Sequence, residues 1–317
     1  MTINLRLIDA HCHVNFSAYR DDPEAVISRA LDRGIGMIAV GTQRDTSRLA
    51  TEIAAGHDGV WAIVGLHPVH LFDSRVDEEE SSFTGRAEVF DPDFYRRLVR
   101  ESNGKVVGLG ECGLDYFHRP EGIEPEVFVR RQVECFGVHL DLAEELDIPV
   151  MIHCRDAHPE AVAAYRETRP DSDERGFPPG YQAHEDVLAL LQGRSNQGHK
   201  LKGDVHCFTG TWEQAQAYLD LGLHLSFAGI VTYPPRRCDL AAGLVSTQEL
   251  ARRVPLDRIL AETDSPYLTP VPHRGEWPNE PANVEFVAAE LARIHGLSPE
   301  RMNSILLENT IRLFGLK

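Results

Sequence analysis

Short apolar runs rich in β-branched residues alternate along the chain with longer stretches in which apolar residues recur at helical spacing. This alternation is typical of βα units, in which a helix follows each strand. The runs predict eight strands, at Leu5–Asp9, Gly36–Gly41, Val60–Gly65, Val106–Glu111, Pro149–His153, Gly203–Cys207, Leu223–Phe227 and Arg258–Asp264. The other stretches predict helices at Pro23–Arg33, Thr46–Ala55, Glu126–Leu146, Thr211–Leu221 and Gln248–Arg253, and at Pro281–Ile294 and Pro299–Phe314 after the last strand.

Eight such units favour an α/β fold of the TIM-type (β/α)8 barrel, with additional C-terminal helices. A single barrel domain over residues 1–317 fits the length, because such barrels take about 250 residues or more. An open doubly wound sheet is the alternative, but no GxGxxG turn follows the first predicted strand to support it. Two stretches, Phe72–Asp91 and Thr168–Gly203, are predicted loop insertions, since neither has enough apolar residues for its own core. The second contains a predicted short helix at His184–Leu191.

Residues that can bind metal ions fall at the ends of five predicted strands. They are His11 and His13 after the first strand, Glu111 ending the fourth, His153 the fifth, His206 the sixth and Asp264 the eighth. The carboxyl ends of barrel strands form one rim, where barrel active sites are built, so these side chains are expected to cluster. On an extended chain His11 and His13 point to the same side and could share one ion. A hydrogen-bonded histidine pair at a strand end is the alternative for these two residues alone.

Four cysteines, Cys12, Cys112, Cys154 and Cys207, each directly follow one of these candidate ligands. If the ligand points into the barrel, its neighbour points outward beneath the helices, where a small and weakly polar side chain packs well. We therefore predict that these cysteines are buried packing residues and not thiolate ligands. Six cysteines in a chain of 317 residues do not indicate a disulfide scaffold.

The net charge of −17 is the opposite of the basic surface expected of a protein that coats nucleic acid. Any chemistry on nucleic acid would need a local positive centre. No apolar stretch approaches the ~20 residues of a membrane span, and the N-terminus lacks the pattern of a signal peptide. The expectation is a cytoplasmic protein with no membrane partner, and a monomer by default.

Seven motifs occur in the order found in the TatD-type deoxyribonucleases, which are metal-dependent hydrolases of the amidohydrolase superfamily. The motifs are DAHCH, GLHP, GLGECGLDY, IHCRDA, HCFTG, ETDSPYL and NEPANV. The chain resembles this family from about Ile8 to its C-terminus. The resemblance implies a TIM-type barrel with a two-metal site and phosphodiesterase activity on DNA, often as a 3′ to 5′ exonuclease. It also matches the six residues above to the family's metal ligands, with Glu111 in the bridging position.

The catalytic residues expected from this resemblance are Glu111 and Asp264. Asp264 is the candidate to orient the attacking water and accept its proton, besides binding one ion. Two divalent ions carry four positive charges and the two carboxylates offset two of them. The centre would therefore stay positive and attract a phosphate despite the acidic surface.

Five further residues are candidates for substrate contacts. Arg155 would face the same side as His153 and could pair with phosphate oxygens, although a salt bridge at the rim is the alternative. Arg274 follows the last strand, where barrel loops commonly bind phosphate. His67, in GLHP, could donate to the substrate. Asp115 and Tyr116 lie close to Glu111 in the sequence and could contact the substrate or support the metal ligands.

Four histidine nitrogens favour Zn²⁺, Mn²⁺, Fe²⁺ or Co²⁺, whereas the resemblance implies that Mg²⁺ or Mn²⁺ supports activity. The expected substrate is DNA, single-stranded or at 3′ ends, with RNA also open. A metal-dependent hydrolase of a small ester, amide or lactone is the alternative, in which the insertion Thr168–Gly203 closes over the substrate. That insertion and Phe72–Asp91 look longer than is usual in the family, which leaves substrate size open. A non-enzymatic metal-bound scaffold is a third reading, disfavoured because structural metal sites are usually closed and four-coordinate.

Overall fold

The structure is a computed structural model that describes residues 4–77, 82–157, 182–235 and 245–317. Its main sheet contains eight parallel strands: β1 (Leu7–Cys12), β2 (Ile35–Val40), β3 (Val60–Val64), β6 (Val106–Asp115), β7 (Val150–Arg155), β8 (Gly203–Val205), β9 (His224–Phe227) and β10 (Ile259–Ala261). The strands are neighbours in that order. Backbone hydrogen bonds then join the two ends of the sheet, from His13 N to Ser265 O at 2.7 Å and from Asp264 N to His11 O at 3.0 Å. The sheet is therefore a nearly closed barrel, and the predicted fold class is confirmed.

Helices connect the strands and cover the outer face of the barrel. They are α1 (Pro23–Leu31), α2 (Arg44–Gly56), α3 (Pro92–Glu101), α4 (Pro125–Leu146), α5 (Ala183–Asn196), α6 (Trp212–Asp220), α7 (Thr247–Arg253), α8 (Val284–His295) and α9 (Pro299–Phe314). Short 3-10 helices lie at Ser17–Tyr19, Pro68–Leu71, Gly229–Thr232 and Pro281–Asn283. In the described ranges, no helix combines the length and the apolar character that crossing a membrane requires.

The core has two parts because alternate residues of a strand point to opposite faces. Ile8, Ile38 and Met151 belong to a smaller cluster inside the barrel. Leu7, Met37 and the other alternates pack outward against the helices in a larger cluster. This division fixes which side chains can reach the barrel mouth.

Both predicted insertions contain more regular structure than the sequence pattern indicated. Within Phe72–Asp91 the chain forms an antiparallel hairpin of β4 (Ser74–Asp77) and β5 (Ser82–Gly85), and α3 follows it. Within Thr168–Gly203, residues 168–181 lie outside the described residues. The rest is largely α5, a barrel helix of 14 residues that extends well past the predicted His184–Leu191. The short helix predicted within Thr168–Gly203 is therefore present, and it is longer than predicted.

Candidate metal centre

His11 and His13 point into the barrel because β1 contains a bulge. Asp9 pairs with Met37 and Cys12 with Ala39, so three residues of β1 span two residues of β2. The extra residue reverses the alternation of faces, since a bulge places two residues opposite one. Without it, both histidines would share the outward face of Leu7. With it, both side chains are buried at the mouth.

Glu111 enters the barrel by the same device in β6. Leu109 pairs with Val150 and Cys112 with Ile152, and the register shifts between them. The side chains of Leu109 and Cys112 both belong to the outer cluster. The Glu111 side chain, between them, is directed to the interior and is 5% exposed.

Four side chains make up what we call site A: His11, His13, Asp264 and Glu111 through its Oε2 atom. The Nε2 atoms of His11 and His13 lie 3.0 Å apart. Asp264 Oδ1 is 3.6 Å from His11 Nε2 and 3.5 Å from His13 Nε2. Glu111 Oε2 is 3.6 Å and 3.7 Å from the same two nitrogens. Two nitrogens and two carboxylate oxygens thus face one point.

The other oxygen of Glu111 faces a second set of donors, which we call site B: His153, His206 and Glu111 Oε1. The distance from Oε1 is 2.8 Å both to His153 Nδ1 and to His206 Nε2. His67 Nε2 lies 3.2 Å from the same oxygen, at the edge of this site. One carboxylate therefore lies between two donor clusters, with one oxygen directed at each.

The protonation of the imidazoles suits a cation. His13 Nδ1 is 2.9 Å from the carbonyl oxygen of Val40, to which it can only donate. In the neutral ring this leaves a lone pair on Nε2, directed at His11 Nε2. Imidazole nitrogens with carboxylate oxygens are a donor set for divalent transition ions. The residues present thus fit a divalent metal.

The electrostatics of the cluster keep the bridging carboxylate ionised. Burial opposes the charge on Glu111, but the imidazoles of His67 and His206 outweigh it and hold its pKa well below the ordinary value. Burial, together with the neighbouring imidazole of His206, lowers the pKa of His11 well below the usual range. The cluster therefore pairs an anionic carboxylate with a neutral imidazole.

The comparison with known proteins agrees with this geometry. The sequence profile of the TatD related DNase family matches residues 8–177 and 180–315. The chain belongs to this family. It is 33% identical over 312 residues to the uncharacterized metal-dependent hydrolase YcfH of Escherichia coli K12, covering 97% of this chain and 95% of that protein.

Two further relatives are similar over their whole length. The chain is 31% identical over 318 residues to the 3′-5′ ssDNA/RNA exonuclease TatD of Citrobacter koseri, covering 98% and 99% of the two chains. The crystal structure of YjjV, a TatD homolog from Escherichia coli K12, superposes with a TM-score of 0.74 at 26% identity and covers 100% of both chains. The expected family membership is confirmed, and the chain is a divalent-metal-dependent hydrolase.

Asp115 lies behind His153 and supports this histidine instead of facing the mouth of the barrel. Its Oδ2 atom lies 3.1 Å from His153 Nε2 and 2.8 Å from His118 Nδ1. Tyr116, the next residue, donates from its hydroxyl to Asp186 at 2.7 Å. Both side chains are about 1% exposed, which suits the supporting role that the sequence left open for Asp115 and Tyr116 better than a contact with substrate. The reason is that β6 continues to Asp115 and does not end at Glu111.

Glu262 is the main residue of this TatD-family centre that the sequence reasoning missed. It is fully buried, and its Oε1 atom lies 3.5 Å from His206 Nδ1. Ser226 Oγ donates to its Oε2 atom at 2.5 Å, and Cys207 N donates to Oε1 at 2.7 Å. Burial opposes a charge on His206, but Glu111 and Glu262 outweigh it and raise the pKa of His206 well above its ordinary value. The sequence signal that could have identified Glu262 is the ETD triplet, because residues two apart on an extended chain, such as Glu262 and Asp264, point to the same side.

Two cationic residues lie at the rim of the TatD-family barrel, each over an aromatic ring. The Arg155 guanidinium is 4.0 Å from the centre of the Phe117 ring, and that of Arg274 is 4.1 Å from the centre of the Tyr233 ring. Such stacking holds a guanidinium flat against the ring.

Three of the four cysteines next to donor residues lie in the outer layer. Cys12 and Cys112 are fully buried there, and Cys154 packs against the same cluster while half-buried. Burial raises the pKa of the Cys112 thiol, which disfavours the thiolate that binds metals. The placement of these three agrees with the packing role expected for them, whereas Cys207 is half-buried and belongs to neither core cluster.

Proposed function

We propose that this protein is a two-metal phosphodiesterase that degrades single-stranded DNA, or RNA, from the 3′ end. The single observation that carries the proposal is the Glu111 carboxylate, which directs one oxygen at each of two donor clusters. A pair of neighbouring divalent ions stabilises in-line displacement at a phosphate, and a carboxylate between two donor clusters could hold such a pair. The polarity of digestion and the single-stranded substrate come from the name of the Citrobacter koseri relative.

In this proposal, site A and site B each hold one divalent ion, with Mn²⁺ or Mg²⁺ supporting activity and Zn²⁺, Fe²⁺ or Co²⁺ able to bind. The ions would lower the pKa of a bound water and stabilise charge on the phosphate oxygens. The chain's part is to hold the donors: bulges fix His11 and Glu111, and Asp9 ties β1 to the last strand. Asp9 does so by accepting from Thr263 N at 2.8 Å and from Thr263 Oγ1 at 2.5 Å.

Asp264 is proposed to orient the attacking water and accept its proton. Its side chain is 17% exposed, whereas those of His11 and His13 at the same site are 0% and 3% exposed. It is thus the donor of site A with the most access to the mouth, and a carboxylate can act as general base within hydrogen-bond reach of water.

Arg155 and Arg274 are proposed to bind the phosphates of the substrate strand, and His67 the scissile group. His67 lies 3.2 Å from Glu111 Oε1 with its side chain 10% exposed. Burial lowers the pKa of His67. Val69 N donates to His67 Nδ1 at 3.2 Å, which places the proton of the neutral ring on Nε2, beside Glu111 Oε1. We also propose that the enzyme is a cytoplasmic monomer, on the sequence pattern alone.

Digestion of a 5′-labelled single-stranded DNA oligomer, with Mn²⁺, with Mg²⁺ and with EDTA, tests the function. The expected result is a metal-dependent ladder that shortens from the 3′ end and is lost in Asp264→Asn. Asp32→Asn, a surface substitution of the same chemistry, is the control that should digest normally. If metal-loaded protein leaves the oligomer intact but hydrolyses a small ester, amide or lactone, the nuclease assignment is wrong. Full activity of Asp264→Asn would exclude only the proton-accepting role of Asp264 and would leave the nuclease assignment standing.

A further inference from the structure

Each of the four histidines of the centre has one ring nitrogen that faces away from it, and the partners of these nitrogens differ between site A and site B. In site A, His11 Nδ1 lies 3.0 Å from Met151 Sδ, and His13 Nδ1 lies 2.9 Å from the Val40 carbonyl oxygen. Both partners are neutral, and a thioether is only a weak acceptor. The imidazoles of site A therefore gain less basicity from these neutral partners than they would from carboxylates.

In site B, both histidines meet carboxylates instead. His153 Nε2 lies 3.1 Å from Asp115 Oδ2, and His206 Nδ1 lies 3.5 Å from Glu262 Oε1. The first distance is a hydrogen bond, and the second is a close charge–dipole approach. Both carboxylates are fixed by other donors, Asp115 by the backbone N–H of His118 at 2.9 Å and Glu262 by Ser226 Oγ at 2.5 Å.

A carboxylate behind an imidazole changes how the ring binds a metal. It fixes the tautomer and the ring orientation, and it makes the opposite nitrogen a stronger donor. Removing such a partner typically weakens metal binding by about 10–100-fold. Site B thus has two strengthened nitrogens and one carboxylate oxygen, a set that favours a nitrogen-preferring transition ion.

Site A has a larger share of carboxylate oxygens and no carboxylates behind its histidines. Asp264 and Glu111 supply two carboxylate oxygens, and the two nitrogens have neutral partners behind them. Oxygen-rich sites suit Mg²⁺ and Mn²⁺, which exchange readily and keep part of their water. The two halves of one centre are therefore built for different ions.

We propose that site B retains a transition ion such as Zn²⁺ while site A exchanges its ion, and that Glu262 and Asp115 are the positioning residues that cause this difference. The inference rests on the proposed function for the existence of both sites. Neither carboxylate touches an ion or the substrate in this scheme. Each acts through one histidine, Glu262 through His206 and Asp115 through His153.

Titration of chelator-stripped protein with Zn²⁺ in a calorimeter, with no nucleic acid present, tests the proposal. The wild type should show two binding events that differ at least tenfold in Kd. Glu262→Gln should weaken the tighter event about 10–100-fold and leave the weaker one within about threefold. Asp264→Asn should instead weaken the weaker event and leave the tighter one within about threefold. Glu276→Gln, an exposed residue of the same chemistry, is the matched control and should change neither event.

The circular dichroism and melting temperature of each variant show whether it folds. Asp115→Asn provides an independent variant at the other histidine of site B and should also weaken the tighter event alone. Folded Glu262→Gln and Asp115→Asn proteins that weaken both events equally, or neither, would overturn the proposal. That outcome differs from failure of the proposed function, in which wild-type protein binds both ions and does not cut DNA.

Discussion

The buried Asp186 should make the protein less stable as the pH rises from acidic to neutral. Its side chain is 3% exposed in the first turn of α5, and the Tyr116 hydroxyl donates to its Oδ2 atom at 2.7 Å. Burial, with Glu185 and Asp156 nearby, raises the pKa of Asp186 to about 7 against the smaller lowering effect of Tyr116. The perturbation that isolates this group is Asp186→Asn, because the amide cannot ionise and its oxygen still accepts from Tyr116.

The sign and size of the effect follow from the two pKa values. An ordinary aspartate has a pKa of 3.8, so between pH 4 and 7 the folded state binds more protons at Asp186 than the unfolded state does. The free energy of unfolding therefore falls as the pH rises through this window. The loss is at most about 4 kcal/mol, at roughly 1.4 kcal/mol per pH unit, and relaxation around the carboxylate reduces it.

Chemical denaturation of wild type and Asp186→Asn at pH 4.5 and pH 8 measures this effect. The variant should gain stability relative to the wild type on going from pH 4.5 to pH 8, by about 1–4 kcal/mol. Glu185→Gln, at an exposed neighbouring position, should show less than about 0.5 kcal/mol of such dependence. A difference between wild type and Asp186→Asn that stays constant across the two pH values would refute the reasoning.

Three other substitutions test the packing around the centre. Cys112→Ala should leave the metal content measured by mass spectrometry unchanged; loss of metal from the folded variant would show that the thiol is a ligand. Gly229→Ala should lower the free energy of unfolding by about 1–3 kcal/mol, because the new Cβ would lie 1.8 Å from the carbonyl oxygen of Leu268; unchanged denaturation would contradict this. Asp204→Val should raise stability by about 1–2 kcal/mol, because its carboxyl oxygens are buried without a hydrogen-bond partner among the described residues; a loss would point to a hidden partner.

The sequence predicted the barrel because eight apolar runs are separated by helical stretches. It predicted which side chains would converge because the carboxyl ends of barrel strands form one rim. It did not reveal the bulges in β1 and β6. A bulge shifts the alternation by a single residue, and no residue type marks that shift in a short apolar run. The spacing of His11 and His13 therefore predicts that both side chains point the same way, but it is the bulge that turns them into the barrel.

The sequence also misjudged how far some elements extend. The end of α5 contains Gly193, Ser195 and Asn196, which are typical of loops, yet packing on the barrel keeps this segment helical. Tyr116 was a candidate for the substrate because it follows Glu111 closely, but it directly follows the end of β6 at Asp115 and its side chain is buried in the outer core cluster. Glu262 was missed because its role depends on contacts with His206 and Ser226, which the ETD triplet alone does not reveal.

Anomalous diffraction from crystals grown with Mn²⁺ tests the central claim most directly, because it locates bound ions without an activity assay. The account predicts two peaks, one among His11, His13 and Asp264 and one between His153 and His206, with Glu111 contacting both. A single peak, or two peaks that do not share Glu111, would contradict the two-site centre from which the proposed chemistry follows.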